Sequence, residues 1–241
     1  MNIKPVFCIF TYGGDSFLLG QCIRALHLLT TKQRIFVFDD AATPLPFAPA
    51  DVQYVQTHFD RKGNLNGPEC VEGELLCMYE AAMKVKANVV IKLDSDIILN
   101  NLKWLTDGDW KNEQIGFKLR SDQTFCSGAC YSLPVSALLK MVRRLAETHI
   151  APLEGESIAI SKLARSVGLS VRLWDCSAKS EEKLWRASSI YADALQNGKI
   201  RSREFLLMRN LDVIYCTLIS PIRNKKADAA LMKLYLDNKY N

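Results

Sequence analysis

The chain has 241 residues, 49% hydrophobic and 24% charged, with a formal net charge of +5. That length and balance describe one large folded domain, or one domain with an appendage, and exclude the low-complexity and disordered classes. The charge excess lies from position 198 onward, where nine Lys and Arg face four Asp and Glu. Only this tail is a candidate for anionic partners, and no nucleic-acid partner is expected.

The amino terminus starts like a secretion signal, with Lys4 ahead of apolar residues 6–10, but Tyr12-Gly13-Gly14-Asp15 breaks the run too early. No stretch reaches the ~20 apolar residues of a membrane span, so a cytoplasmic protein is expected. The eight cysteines are then reduced, mostly buried thiols. No Cys-x-x-Cys pair exists, and three histidines do not complete a zinc set.

In chain order, residues 4–10 predict a first strand and Tyr12–Asp15 a turn. Leu18, Cys22, Ala25, Leu26 and Leu29 have helical spacing, predicting a helix over 17–29. Residues 34–38 predict a strand ending in Asp39-Asp40. A Pro-rich loop over 43–49 leads to a short strand at 52–56, a loop at 63–67 and a helix at 71–84. Val89-Val90-Ile91 opens a buried strand that carries Asp94 and Asp96. This β-α-β-β-α-β order predicts a sheet with parallel strands and crossover helices, whose ligands bind beyond the carboxyl ends of the strands. Tyr12, Asp39, Asp40, Asp94 and Asp96 all fall at such ends. Further strands are predicted at 115–119, 125–133 (with Ser127-Gly128-Ala129 inside it) and 170–174. Helices are predicted from Pro134, over 157–166, and over 181–197, 203–218 and 225–237.

Asp94 and Asp96 point the same way if the strand persists through them. Two carboxylates aimed together repel, and a divalent cation relieves the repulsion. Hard oxygen ligands suit Mg²⁺ or Mn²⁺, which commonly share coordination with substrate phosphates. The reading is a metal–diphosphate site with Asp94 and Asp96 as ligands; a chance pair on a solvated turn is the plain alternative. Lys92 falls on the Asp94 side if alternation holds, to pair with a carboxylate or touch phosphate.

Asp94-Ser95-Asp96, behind a nucleotide-type α/β half, resembles the Asp-x-Asp signature of GT-A-fold glycosyltransferases. Ile91-Lys92-Leu93-Asp94-Ser95-Asp96-Ile97 followed by Asn100 is similar to the K-x-D-D-D-V-x-x-N pattern of the β-1,3-galactosyltransferase-like family. Cys126–Leu133 resembles its C-S-G-x-G-Y-x-L segment, and Glu156-Ser157-Ile158 its E-D-V element. Ser95 stands where the family often has a third Asp, Cys130 replaces a Gly, and Ser157 takes the Asp position of E-D. The resemblance covers residues 7–175. It implies an α/β, GT-A-like nucleotide-diphospho-sugar transferase fold, with a mixed, mostly parallel sheet flanked by helices. Residues 1–178 would form the catalytic domain and 179–241 a helical basic extension packed on it.

The resemblance further implies a nucleotide-sugar donor, UDP-sugar first, and a Mn²⁺ or Mg²⁺ cofactor held by Asp96, with Asp94 on the ribose or a metal-bound water. Main-chain groups near Thr11, Tyr12 and Gly13, with Asp39 or Asp40, would hold base and ribose; a solvated strand end is the alternative for the two aspartates. Arg61 would bring a cation near the diphosphate. Ser127 and Gly128 would let a sugar approach the backbone. An inverting reaction needs a base near the acceptor hydroxyl; Glu156 is the first candidate and Glu154 the second, though both precede a helix, where acids are favoured for capping alone. A retaining reaction would not need that base. The acceptor would be a glycan or glycolipid of surface-polysaccharide or lipooligosaccharide assembly. The tail, with Phe205, Leu206, Met208, Leu211, Ile214, Tyr215 and Leu218 on one face, either packs on the core or lies on the inner face of an anionic membrane. The competing functions are a sugar-nucleotide nucleotidyltransferase and a non-catalytic nucleotide-sugar binder.

Overall fold

The computed structural model describes residues 2–59, 67–117, 123–174, 213–215 and 225–240. In chain order the elements are β1 (Pro5–Thr11), α1 (Ser16–Leu26), β2 (Ile35–Asp40), β3 (Gln53–Thr57), α2 (Pro68–Lys84), β4 (Val89–Asp94), β5 (Ile97–Leu99), α3 (Lys103–Thr106) and β6 (Glu113–Phe117). Then come β7 (Cys130–Pro134), α4 (Val135–Leu145), α5 (Glu156–Ser166), β8 (Ser170–Trp174), β9 (Val213–Tyr215) and α6 (Lys225–Tyr240). Seven strands form one sheet in the order β3-β2-β1-β4-β7-β6-β8. β3, β2, β1 and β4 run parallel, β7 is antiparallel to both its neighbours, and β8 is parallel to β6. This is the mixed, mostly parallel α/β sheet that the sequence predicts.

Strand alternation sorts the core into two layers. Phe7, Ile9, Ile35, Val37, Ile91 and Leu93 face α1, β5, Trp104 and α6. Val6, Cys8, Phe10, Phe36, Phe38 and Val90 face α2, α4 and α5. The even-numbered positions of β4 therefore look toward α2 and α5. Lys92, at one of them, is fully buried on that side.

Proline at the first helical position starts α2 earlier than the apolar pattern suggests. Gly67 before it has φ +86°, and a Cβ there would lie 2.5 Å from the Pro152 carbonyl oxygen. Its N–H donates to the Glu154 carbonyl at 3.0 Å. The first turns of α2 and α5 are thereby tied together at one end of the molecule.

Three expectations are corrected. The Asp94/Asp96 strand does not persist: β4 stops at Asp94, residues 95–96 turn, and β5 leaves the main sheet to pair antiparallel with β9. The strand expected over 125–133 starts only at Cys130. Before it, the amides of Cys126 and Gly128 donate to Ser161 Oγ and Ser157 Oγ of α5 rather than to a neighbouring strand. Finally, 213–215 is strand, not part of a helix over 203–218. A Val-Ile-Tyr run suits either period, and pairing with Ile97–Leu99 decides it. The rest of that expected helix, its apolar face before 213, the helix at 181–197 and Arg61 lie outside the described residues. α6 packs on the core: Met232, Tyr235 and Leu236 are buried against the α1 layer, and Arg24 pairs with Asp237 at 2.6 Å.

Candidate active site

The carboxyl ends of β1, β2 and β4 converge as the topology requires. At β4, Asp94 closes the strand, its N–H donating to the Ala129 carbonyl at 2.9 Å. Its side chain is 39% exposed, and Oδ1 accepts from Lys92 Nζ at 2.7 Å. Ser95 is buried, and its hydroxyl donates to Asp15 Oδ2 at 2.8 Å, which fastens the carboxylate turn to the β1–α1 loop. Behind it, the Cys22 thiol contacts the Asp94 carbonyl at 3.7 Å. Burial first, then Asp96 and Asp94, push that thiol up, so it stays protonated and unreactive.

Lys92 Nζ donates to Asp94 Oδ1 at 2.7 Å, the Gly128 carbonyl at 2.5 Å and Glu156 Oε2 at 3.0 Å. An ammonium has three donors, and all are engaged, so Lys92 pairs carboxylates and has none left for phosphate. Burial alone would push Lys92 down; Asp94, Glu156 and Glu74 outweigh it and the net direction is up. Glu74, on α2, is fully buried, with Tyr131 donating to its Oε1 at 2.7 Å. Burial, then Glu156, push the Glu74 carboxyl well above the usual range. Burial also raises Glu156, against the pull of Lys92. Burial and the same two carboxyls raise the Tyr131 phenol.

The small residues of the 127–129 turn fit this arrangement. A Cβ on Gly128 would lie 2.8 Å from Ser157 Oγ and 3.2 Å from Glu156 Oε2. Ser157 accepts the Gly128 N–H at 2.9 Å. One helical turn on, Ser161 accepts that of Cys126. Ser127 Oγ accepts from the Ala129 amide at 3.3 Å. Ser157 thus anchors the turn that borders Asp94.

At β1 and β2, Thr11 and Asp39 are register partners, both fully buried. Asp39 Oδ2 accepts from the Leu45 amide at 2.9 Å and the Tyr54 hydroxyl at 2.7 Å; that bond leads in pushing the Tyr54 phenol up to about 12. Asp39 Oδ1 and Thr11 Oγ1 have no hydrogen-bond partner among the described residues. Asp40 is committed to its turn, accepting from Ala42 N and Thr43 Oγ1. Gly13 N–H donates to the Thr43 carbonyl at 2.6 Å, and a Cβ on Gly13 would meet the Pro44 carbonyl at the same distance. Tyr12 caps the short 3₁₀ turn Gly13–Asp15 and packs over Gly14.

The structure therefore gathers Lys92, Asp94, Gly128 and Glu156 into one cluster, sets Asp96 beside it, and places Thr11 and Asp39 at the adjoining strand ends. Glu154 points elsewhere, paired with Lys162 at 2.6 Å. Sequence reasoning missed Glu74, which carries no local motif, gave no role to Tyr131 although it lies in the Cys126–Leu133 segment, and missed the Asp15–Ser95 bond, which spans 80 positions. Cavities of about 350 and 540 Å³ lie elsewhere, one along α4 at Lys140 and Arg143, the other at the opposite strand ends by Asn88 and Pro134.

Two carboxylates at an open strand end fit a hard divalent cation that takes its other ligands from water and a diphosphate. Among the described residues, no group of three or more His, Cys, Asp or Glu forms a closed protein cage.

No family's sequence profile matches the chain, and no curated protein matches it in sequence. Among solved structures it is similar to the glycosyltransferase GlyE of Streptococcus pneumoniae TIGR4, with 10% identity over 99% of this chain and 64% of that one, at a TM-score of 0.51. It is also similar to the bifunctional glycosyltransferase WbbM, with 12% identity over 100% of this chain and 50% of that one, at a TM-score of 0.53. A cytidylyltransferase of Leptospira borgpetersenii serovar Hardjo-bovis superposes at 12% identity and a TM-score of 0.49. The chain spans 64% of GlyE and half of WbbM. At these identities the likeness establishes the fold, that of the glycosyltransferase-like α/β proteins.

Proposed function

We propose that this protein is a metal-dependent glycosyltransferase, moving a sugar from a nucleotide-sugar donor, UDP-sugar first, to a glycan or glycolipid acceptor. The observation that carries the reading is the Asp94–Asp96 turn at the carboxyl end of the central strand β4, next to two buried oxygens, unpartnered among the described residues, at the ends of β1 and β2. On this class of sheet, ligands bind beyond those ends.

Asp94 and Asp96 would hold Mg²⁺ or Mn²⁺. When bound, such an ion neutralises the charge that builds on a leaving diphosphate. The chain's own groups do the rest. Lys92 fixes Asp94 from below, and the Ser95–Asp15 bond fixes the turn. Thr11 and Asp39, both buried, shape the ends of β1 and β2 on which the nucleoside would rest. Gly128 lets the 127–129 turn pack closely on Ser157 and Glu156, beside Asp94. The basic tail is proposed as the part that would meet an anionic membrane bearing a glycolipid acceptor, for a protein working at the cytoplasmic face.

The test is product formation by the purified chain with Mn²⁺ and UDP-, GDP- or CMP-sugars. Release of the matching nucleotide, abolished in D96A, is the expected result. Pyrophosphate from a nucleoside triphosphate and a sugar phosphate would replace the reading with sugar-nucleotide synthesis. Binding without turnover of any donor would reduce the protein to a binder.

A further inference from the structure

The geometry points to Glu74 and Glu156 as a positioning pair, in which Glu74 is the protonated acid, Glu156 the ion, and their bond sets Lys92 and through it Asp94. The starting point is an anomaly. Glu156 Oε1 and Glu74 Oε2 are both buried and have no donor among the described residues, yet the two carboxyl groups interact directly, each perturbing the other. Two bare carboxylates repel; one proton between them satisfies both orphaned oxygens. Lys92 stands against Glu156 Oε2 at 3.0 Å, whereas Glu74 has only the Tyr131 hydroxyl at 2.7 Å. The ion therefore belongs on Glu156 and the proton on Glu74. Burial, which raises Glu74 well above the usual range, agrees with that placement.

This arrangement changes what Glu156 does. One of its oxygens is taken by Lys92, the other by Glu74. The Gly128 backbone packs against the first, since a Cβ there would lie 3.2 Å from Oε2. Glu156 is 6% exposed and has no face left for an acceptor hydroxyl, so it orients Lys92 and does not take the acceptor's proton. Tyr131, Glu74, Glu156, Lys92 and Asp94 then form one chain of contacts from α2 through α5 to the mouth of the site.

The kinetic half of the test rests on the glycosyl transfer proposed above. In E156Q the amide oxygen still accepts from Lys92 and the amide nitrogen donates to Glu74. This variant should raise the donor KM in Mn²⁺ several-fold with an unchanged pH profile of kcat, whereas loss of a general base costs about a hundredfold or more in kcat. A hundredfold fall in kcat at unchanged donor KM would overturn the inference and make Glu156 the base. E74Q should resemble E156Q. E74L should raise the donor KM in Mn²⁺ about tenfold, the equivalent of one lost buried hydrogen bond; an unchanged KM counts against the pair. The second half needs no nucleotide and holds whether or not the chain transfers sugar. Infrared difference spectra of wild type against E74Q at neutral pH should show one protonated carboxyl stretch that the variant lacks. No such band means that Glu74 is ionised and the assignment wrong.

Discussion

Lys92→Met tests the balance of charge under the site. One buried ammonium serves the Asp94 and Glu156 carboxylates directly, at 2.7 and 3.0 Å, and also the Gly128 carbonyl. Methionine nearly matches the volume but removes the cation, leaving Glu156 as an uncompensated buried charge. Breaking a buried pair in this way costs about 3–5 kcal/mol. With a denaturant slope of roughly 2–3 kcal/mol per molar for a chain of this size, the urea midpoint should fall by roughly 1–2 M. The defect has a definite pH sign. Lys92 pulls Glu156 down, against burial, so without it the folded-state pKa of Glu156 rises further above its unfolded value. The folded variant then holds a proton that the unfolded chain has released, and its stability falls as pH rises through that window. The deficit relative to wild type should therefore be larger at about pH 8 than at about pH 5. Equilibrium urea unfolding at both pH values reads this directly. A variant within about 1 kcal/mol of wild type at pH 8, or a deficit that shrinks as pH rises, would refute the account.

Other consequences are as specific. Gly128→Ala places a methyl 2.8 Å from Ser157 Oγ and 3.2 Å from Glu156 Oε2, and should cost about 1–3 kcal/mol in thermal or urea unfolding. Ser95→Asp makes three consecutive aspartates, yet it sets a buried carboxylate against Asp15. It should lose about 1–3 kcal/mol of stability, most of it recovered in the S95D/D15N double variant; equal stability of S95D and wild type would remove the clamp from the account. Tyr235→Phe deletes the 2.8 Å bond from α6 to Asn100 and should lower stability by about 1 kcal/mol, measured the same way.

The sheet was legible because its strands are short apolar runs separated by turn residues, and strand alternation correctly put Lys92 on the Asp94 side. What the alternation missed was where β4 ends. Ile97-Ile98-Leu99 reads as more of the same strand, and only β9, more than a hundred residues later, draws it out of the sheet. The 125–133 segment fails similarly: the amides of Cys126 and Gly128 are satisfied by two serines of α5, partners that no local window contains. Glu74 was invisible for the same reason. On α2 it looks like an ordinary helical glutamate, and its burial follows from α5 and β7 closing over it. The place of Asp94 at the end of β4 was legible because an apolar run closing on a carboxylate shows locally.

The central claim is a metal–nucleotide site at Asp94 and Asp96. Calorimetric titration of UDP, GDP and CMP into wild type and D96A, each with and without Mn²⁺, tests it most directly. The account predicts that one nucleotide binds in the presence of Mn²⁺, that affinity drops at least about tenfold without the metal, and that D96A abolishes the metal-dependent part. Binding indifferent to both Mn²⁺ and Asp96, or no nucleotide binding at all, would contradict it.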